Sequence, residues 1–147
     1  MRVLVDANVL LRTVQSNHPH FAEATAAIAT LVRRSDSVFF SPQNIAEFWN
    51  VATRPVERNG LGLSPDRAFQ EITGIEKSLS LLPDVPEIYA SWKEIVRANK
   101  VLGVKVHDAR LVAIMTVYSV SGLLTFNAAD FARFTKITAI HPSSLVP

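Results

Sequence analysis

The sequence predicts an α/β fold built around a mainly parallel sheet. Two observations carry this. Short apolar, strand-like runs alternate with longer stretches of helical spacing along the chain. The first run, "VLV" at Val3–Val5, is apolar on both alternating faces, as befits a strand covered on both sides. The chain has 147 residues, 48% apolar and 19% charged, and reads as one folded domain, residues 1–147, rather than a disordered segment.

The elements follow in order. Val3–Val5 is the natural central strand. Asn8 is placed to cap a short helix, and His18-Pro19-His20 makes a loop before an alanine-rich helix from about Phe21 to Arg34. Ser37–Ser41 reads as a second strand. Ser41-Pro42 then opens a helix, with serine at the cap and proline in the first turn, that runs to about Arg54 before Pro55. "VERNGLGLSPD" is the most loop-like stretch, and Ser64-Pro65 starts a helix to about Ser78. Leu79–Leu82 is a short strand. "PEIYASWKEIVRANK" places Ile88, Trp92, Ile95 and Val96 at helical spacing, and Gly103 ends that element. A long apolar helix runs from Asp108 to about Val120, followed by strands at Gly122–Phe126 and Ile137–Ile140. The sheet therefore has about four to five strands, with no internal repeat or linker.

Several classes are disfavoured. Leu111 to Ala129 carries no charge and approaches a membrane span in length, but Ser119, Ser121, Gly122 and Asn127 interrupt it, so it reads as a buried helix, a turn and a buried strand. No secretory signal is expected, since only three apolar residues separate Arg2 from Asp6. The absence of cysteine removes disulfides, thiolate metal sites and cysteine nucleophiles, and fits a reducing, cytoplasmic location. A formal charge of +2 is too small to argue for nucleic-acid binding by itself.

The carboxylates are more informative. Asp6 sits inside "VLVDANVLL", where a buried charge costs several kcal/mol unless something compensates it. Glu47 lies in the opening turns of the helix after the second strand, among Ile45, Phe48, Trp49 and Ala52, with no lysine or arginine between Arg34 and Arg54. Asp108 opens the long apolar helix, and Asp130 follows the "GLLTF" strand. Helix capping accounts for Asp108 and Asp130 taken singly, but fits Asp6 and Glu47 less well. In parallel α/β sheets functional groups gather at the carboxyl ends of the strands, and all four acids map there. Together they suit a hard divalent cation such as Mg²⁺, which takes oxygen ligands and can promote phosphodiester hydrolysis.

"VLVDANVLL", "SPQNIAEFWNV", "VHDARLVAIM" and "LLTFNAADF", in this order and spacing, resemble the PIN-domain proteins, specifically ribonuclease toxins of VapC type from toxin-antitoxin pairs. The resemblance covers nearly the whole chain. It implies a three-layer α/β/α sandwich and an Mg²⁺- or Mn²⁺-dependent endonuclease acting on single-stranded RNA. It also implies a small antitoxin partner and a homodimer. Asp6, Glu47 and Asp108 match the family's three main acidic positions. Asn127 stands where many members carry a fourth acid, and Asp130 of the "NxxDF" variant is the residue that can supply that charge. Asn8 and Thr125 match small polar positions that support the first aspartate.

The remaining polar residues divide as follows. Arg110 and Lys105, with Arg97 and Lys100, flank Asp108 and can draw an RNA backbone towards it. His18 and His20 read as solvated loop residues, His107 as a neighbour of Asp108, and His141 as structural. At least one of Phe48 and Trp49 belongs to the core. No Gly-rich phosphate loop or GxSxG elbow is present. Two rival readings remain: a non-catalytic RNA-binding or dimerisation module with a degraded metal site, and a phosphatase using Asp6 as nucleophile. The second is weakened because Asn8, not a second aspartate, stands two residues on.

Overall fold

The computed structural model describes residues 1–147. Strands are β1 (Arg2–Val5), β2 (Ser37–Phe40), β3 (Ser80–Leu81), β4 (Gly122–Leu124) and β5 (Thr138–Ile140). Helices are α1 (Ala7–Thr13), α2 (Phe21–Arg33), α3 (Pro42–Thr53), α4 (Pro65–Ser78), α5 (Glu87–Ala98) and α6 (Val106–Val117). The five strands form one sheet in the order β3-β2-β1-β4-β5, every pairing parallel. Helices connect successive strands except β4 and β5, where a 3-10 turn at Ala128–Phe131 serves.

The strand faces explain the layers. Val3 and Val5 point into one apolar cluster, with Leu10, Leu31, Phe48, Ile75 and Leu124; Leu4 points into the other, with Ile114, Met115 and Leu123. Alternation along β1 and β4 thus sends neighbouring residues to opposite sides, as the pleat requires. One layer is α1–α4 and the other α5–α6, giving the expected α/β/α sandwich. No helix is long and apolar enough to cross a membrane.

Three local expectations are corrected. The cap of α1 is Asp6, not Asn8: its side chain accepts from the Ala7 N–H, and its backbone is extended as a cap requires. The long helix starts at Val106, so Asp108 lies in its first turn rather than at the cap, and it stops at Val117. Its end is fixed by Ser119, whose φ of 55° breaks the helix before buried Val120. The "VERNGLGLSPD" loop is stitched to the end of α3, where Leu61, Gly62 and Leu63 donate to the Val51, Arg54 and Ala52 carbonyls. Gly60 permits this approach, because a Cβ there would lie 2.0 Å from the Arg54 oxygen.

Candidate acidic centre

Asp6 lies where β1 ends and α1 begins, and is 7% exposed. Its Oδ1 accepts from the Ala7 amide at 2.8 Å; its Oδ2 accepts from Thr125 Oγ1 at 2.8 Å and from Asn8 Nδ2 at 3.3 Å. Asn8 and Thr125 thus share one oxygen of Asp6. Thr125 Oγ1 also accepts from Asn8 Nδ2 and from the Asn127 amide, while Asn8 Oδ1 accepts from the Phe126 amide. The cluster joins the ends of the adjacent strands β1 and β4, whose backbones meet in the bond from Asp6 N–H to the Leu124 carbonyl. Burial pushes the Asp6 carboxyl up to about 6; Glu47 and Asp108 push the same way, against the bonds from Thr125 and Ala7.

Asp108 and Asp130 are held differently. Lys105 Nζ lies 3.3 Å from Asp130 Oδ1 and 3.7 Å from Asp108 Oδ2, so one ammonium bridges the two carboxylates. Burial raises the Asp108 carboxyl above its ordinary value; Lys105 opposes the rise and Asp130 adds to it. Asn127 is exposed at the start of the 3-10 turn that carries Asp130, and its side chain caps nothing.

Glu47 is half-buried on α3, one turn beyond Gln43. Gln43 Nε2 donates to Glu47 Oε1 and to the His107 carbonyl, both at 2.9 Å. Gln43 Oε1 accepts from Arg110 Nη1 at 3.1 Å, and Arg110 Nη2 meets Asp84 Oδ1 at 3.0 Å. Gln43 and Asp84 were not singled out from the sequence. The i, i+4 spacing of Gln43 and Glu47 was a signal for the first; nothing local marked the second. Phe48 is wholly buried and Trp49 partly, so Phe48 is the core aromatic of that pair. His18, His20 and His141 lie elsewhere, around Phe126 and Glu23.

Asp6 thus has Glu47 and Asp108 in electrostatic reach, and Asp108 has Asp130. No three His, Asp or Glu side chains are grouped closely enough to form a metal-binding cluster by themselves. The donor set still fits a hard cation chemically. It is all oxygen, it raises the Asp6 pKa through burial and repulsion, and Mg²⁺ commonly needs only one or two carboxylates with waters completing its shell.

Fold and site together define a parallel α/β/α protein with an acidic centre at the carboxyl edge of its sheet. The chain belongs to the PIN-domain family, whose model matches residues 3–137. Solved structures with the same fold include VapBC2 from Rickettsia felis bound to a promoter DNA fragment: 12% identity, TM-score 0.72, covering 95% of this chain and 98% of that one. A toxin-antitoxin complex from Klebsiella pneumoniae matches at 17% identity and TM-score 0.62, covering 95% and 97%. The sarcin-ricin loop cleaving toxin VapC20 of Mycobacterium tuberculosis matches at 15% identity and TM-score 0.64, covering 90% and 95%. At these identities the likeness is one of fold. No curated protein matches the chain.

Proposed function

We propose that the protein is a divalent-metal-dependent endoribonuclease acting on single-stranded RNA, and the toxin of a toxin-antitoxin pair. The observation that carries this is Asp6: a buried carboxylate oriented by Ala7, Asn8 and Thr125, with Glu47 and Asp108 in electrostatic reach, at the edge where a parallel sheet presents its site. PIN-family membership and the fold shared with toxin-antitoxin proteins support the reading.

Asp6, Glu47, Asp108 and Asp130 are the residues that would hold Mg²⁺ or Mn²⁺. A bound cation supplies Lewis acidity for phosphodiester hydrolysis. The chain's own part is to keep those oxygens placed. Thr125 and Asn8 lock the Asp6 carboxylate, and Asn127 joins them through its amide, leaving Asp130 to supply the fourth acidic position. Lys105 lies beside the acids, where it can meet RNA phosphates, whereas Arg110, expected from the sequence to do the same, has its guanidinium on Gln43 and Asp84. A cognate antitoxin and a homodimer complete the reading.

The test is cleavage of a single-stranded RNA panel with Mn²⁺ or Mg²⁺ and with EDTA. Cutting should need the metal and should be lost in Asp6→Asn and Asp108→Asn. RNA that is retained but never cut, with no carboxylate-dependent Mn²⁺ binding, would instead favour the non-catalytic module.

A further inference from the structure

Gln43 makes more directional contacts between elements of the centre than any acid does. Both amide hydrogens are used, on Glu47 Oε1 and on the His107 carbonyl, and the amide oxygen takes Arg110 Nη1. The amide cannot be turned over, because its oxygen would then face a carboxylate and a carbonyl, two groups that only accept. Its partners come from different layers. Glu47 is on α3, which packs on one face of the sheet; His107 and Arg110 are on α6, which packs on the other. His107 directly precedes Asp108, so the bond to its carbonyl fixes the first turn of α6 relative to Glu47. Arg110 is anchored in turn by Asp84, in the loop between β3 and α5.

We infer that Gln43 is a positioning residue that sets Glu47 and Asp108 at a common spacing for a divalent cation, and that Arg110 acts through Gln43 rather than on the RNA. This rests on the metal-dependent reading above. Partners that orient ligands commonly affect metal affinity by 10–100-fold when removed. A residue needed only for packing would lower stability without a matching change in metal affinity.

The experiment is Mn²⁺ titration by calorimetry on the full chain, for wild type, Gln43→Met, Arg110→Met and Asp6→Asn. Melting temperature and Mn²⁺-dependent RNA cleavage are measured on the same samples. Gln43→Met keeps the side-chain length and removes the hydrogen bonds. Its Mn²⁺ dissociation constant should rise about tenfold or more. The Mn²⁺ needed for half-maximal cleavage should rise in parallel, with kcat at saturating Mn²⁺ changed by less than about threefold. Arg110→Met should give a smaller change in the same direction. The salt dependence of its RNA binding should stay at the wild-type slope, whereas loss of a phosphate contact would lower that slope by about one.

Wild-type Mn²⁺ affinity in Gln43→Met would overturn the inference, as would lost kcat at saturating metal. A shallower salt slope in Arg110→Met, with unchanged metal affinity, would assign Arg110 to RNA and overturn its part. If wild type binds Mn²⁺ no better than Asp6→Asn, the metal-dependent reading itself fails and the inference falls with it.

Discussion

The two ends of the acidic centre are built on opposite principles. Asp6 is buried and held by three neutral donors, two from α1 and one from the residue that follows β4, so its position is a property of the fold. Asp108 and Asp130 are more exposed and share a single flexible ammonium, Lys105, so their spacing is set by electrostatics that another cation can replace. The difference separates a part of the site whose loss disturbs the protein from one whose loss chiefly alters what the site binds.

The largest effect that would test this contrast is in catalysis. Asp6→Asn should lower Mn²⁺-dependent cleavage about a hundredfold or more, the scale set by removing one preorganised group from a site. Near-wild-type rates would remove Asp6 from the centre.

The second is in pH. Asp6 has a folded pKa of about 6 against an ordinary 3.8, so between these values the folded protein binds the extra proton. The stability of the metal-free protein should therefore fall, by up to about 3 kcal/mol, as pH rises from 4 to 6, and flatten above. The shift of Asp108 has the same sign. Urea unfolding across that range checks this, and added Mn²⁺ should flatten the slope. A metal-free stability that rises through this window would contradict the buried end as described.

Third, Thr125→Val removes one hydroxyl and leaves Asp6 Oδ2, Asn8 Nδ2 and the Asn127 amide each short of a partner. It should cost about 1–3 kcal/mol in chemical denaturation. A loss below 0.5 kcal/mol would mean that water replaces the hydroxyl without cost and that the buried end is less fixed than drawn.

The smallest stability effect belongs to the exposed end. Lys105→Met should leave stability within about 0.5 kcal/mol, because exposed ion pairs contribute little. It should tighten Mn²⁺ binding, since the cation no longer competes with an ammonium. Weaker Mn²⁺ binding in that variant would show that Lys105 organises the acids rather than occupying them.

How much was legible follows the same divide. Alternation in "VLV" and "GLL" specified which residues face which layer, because the pleat has a period of two and both faces are covered. Asp6 was legible as an anomaly: a carboxylate in an apolar run needs a partner. Which residue caps α1 was not, because Asp and Asn are nearly equal caps, and the Thr125 that bonds Asp6 lies far away in sequence. Gln43, Arg110 and Asp84 were illegible as a network for the same reason. Each is an ordinary surface type, and the bonds that give them meaning span 64, 67 and 26 residues. Lys105 was read as a hand for RNA; its place between two carboxylates depends on the turn after β4 folding back onto α6.

The bond between Asp6 and Thr125 closes a loop of 119 residues. Protein synthesis adds about 5–20 residues per second, so roughly 6–24 seconds separate the making of these two partners. Through that interval the first acid has neither its threonine nor β4 to lie against, and a growing chain carries the carboxylate without the setting that orients it. The oriented carboxylate on which the proposed activity rests is thus completed only near the end of synthesis, once Thr125 has been added.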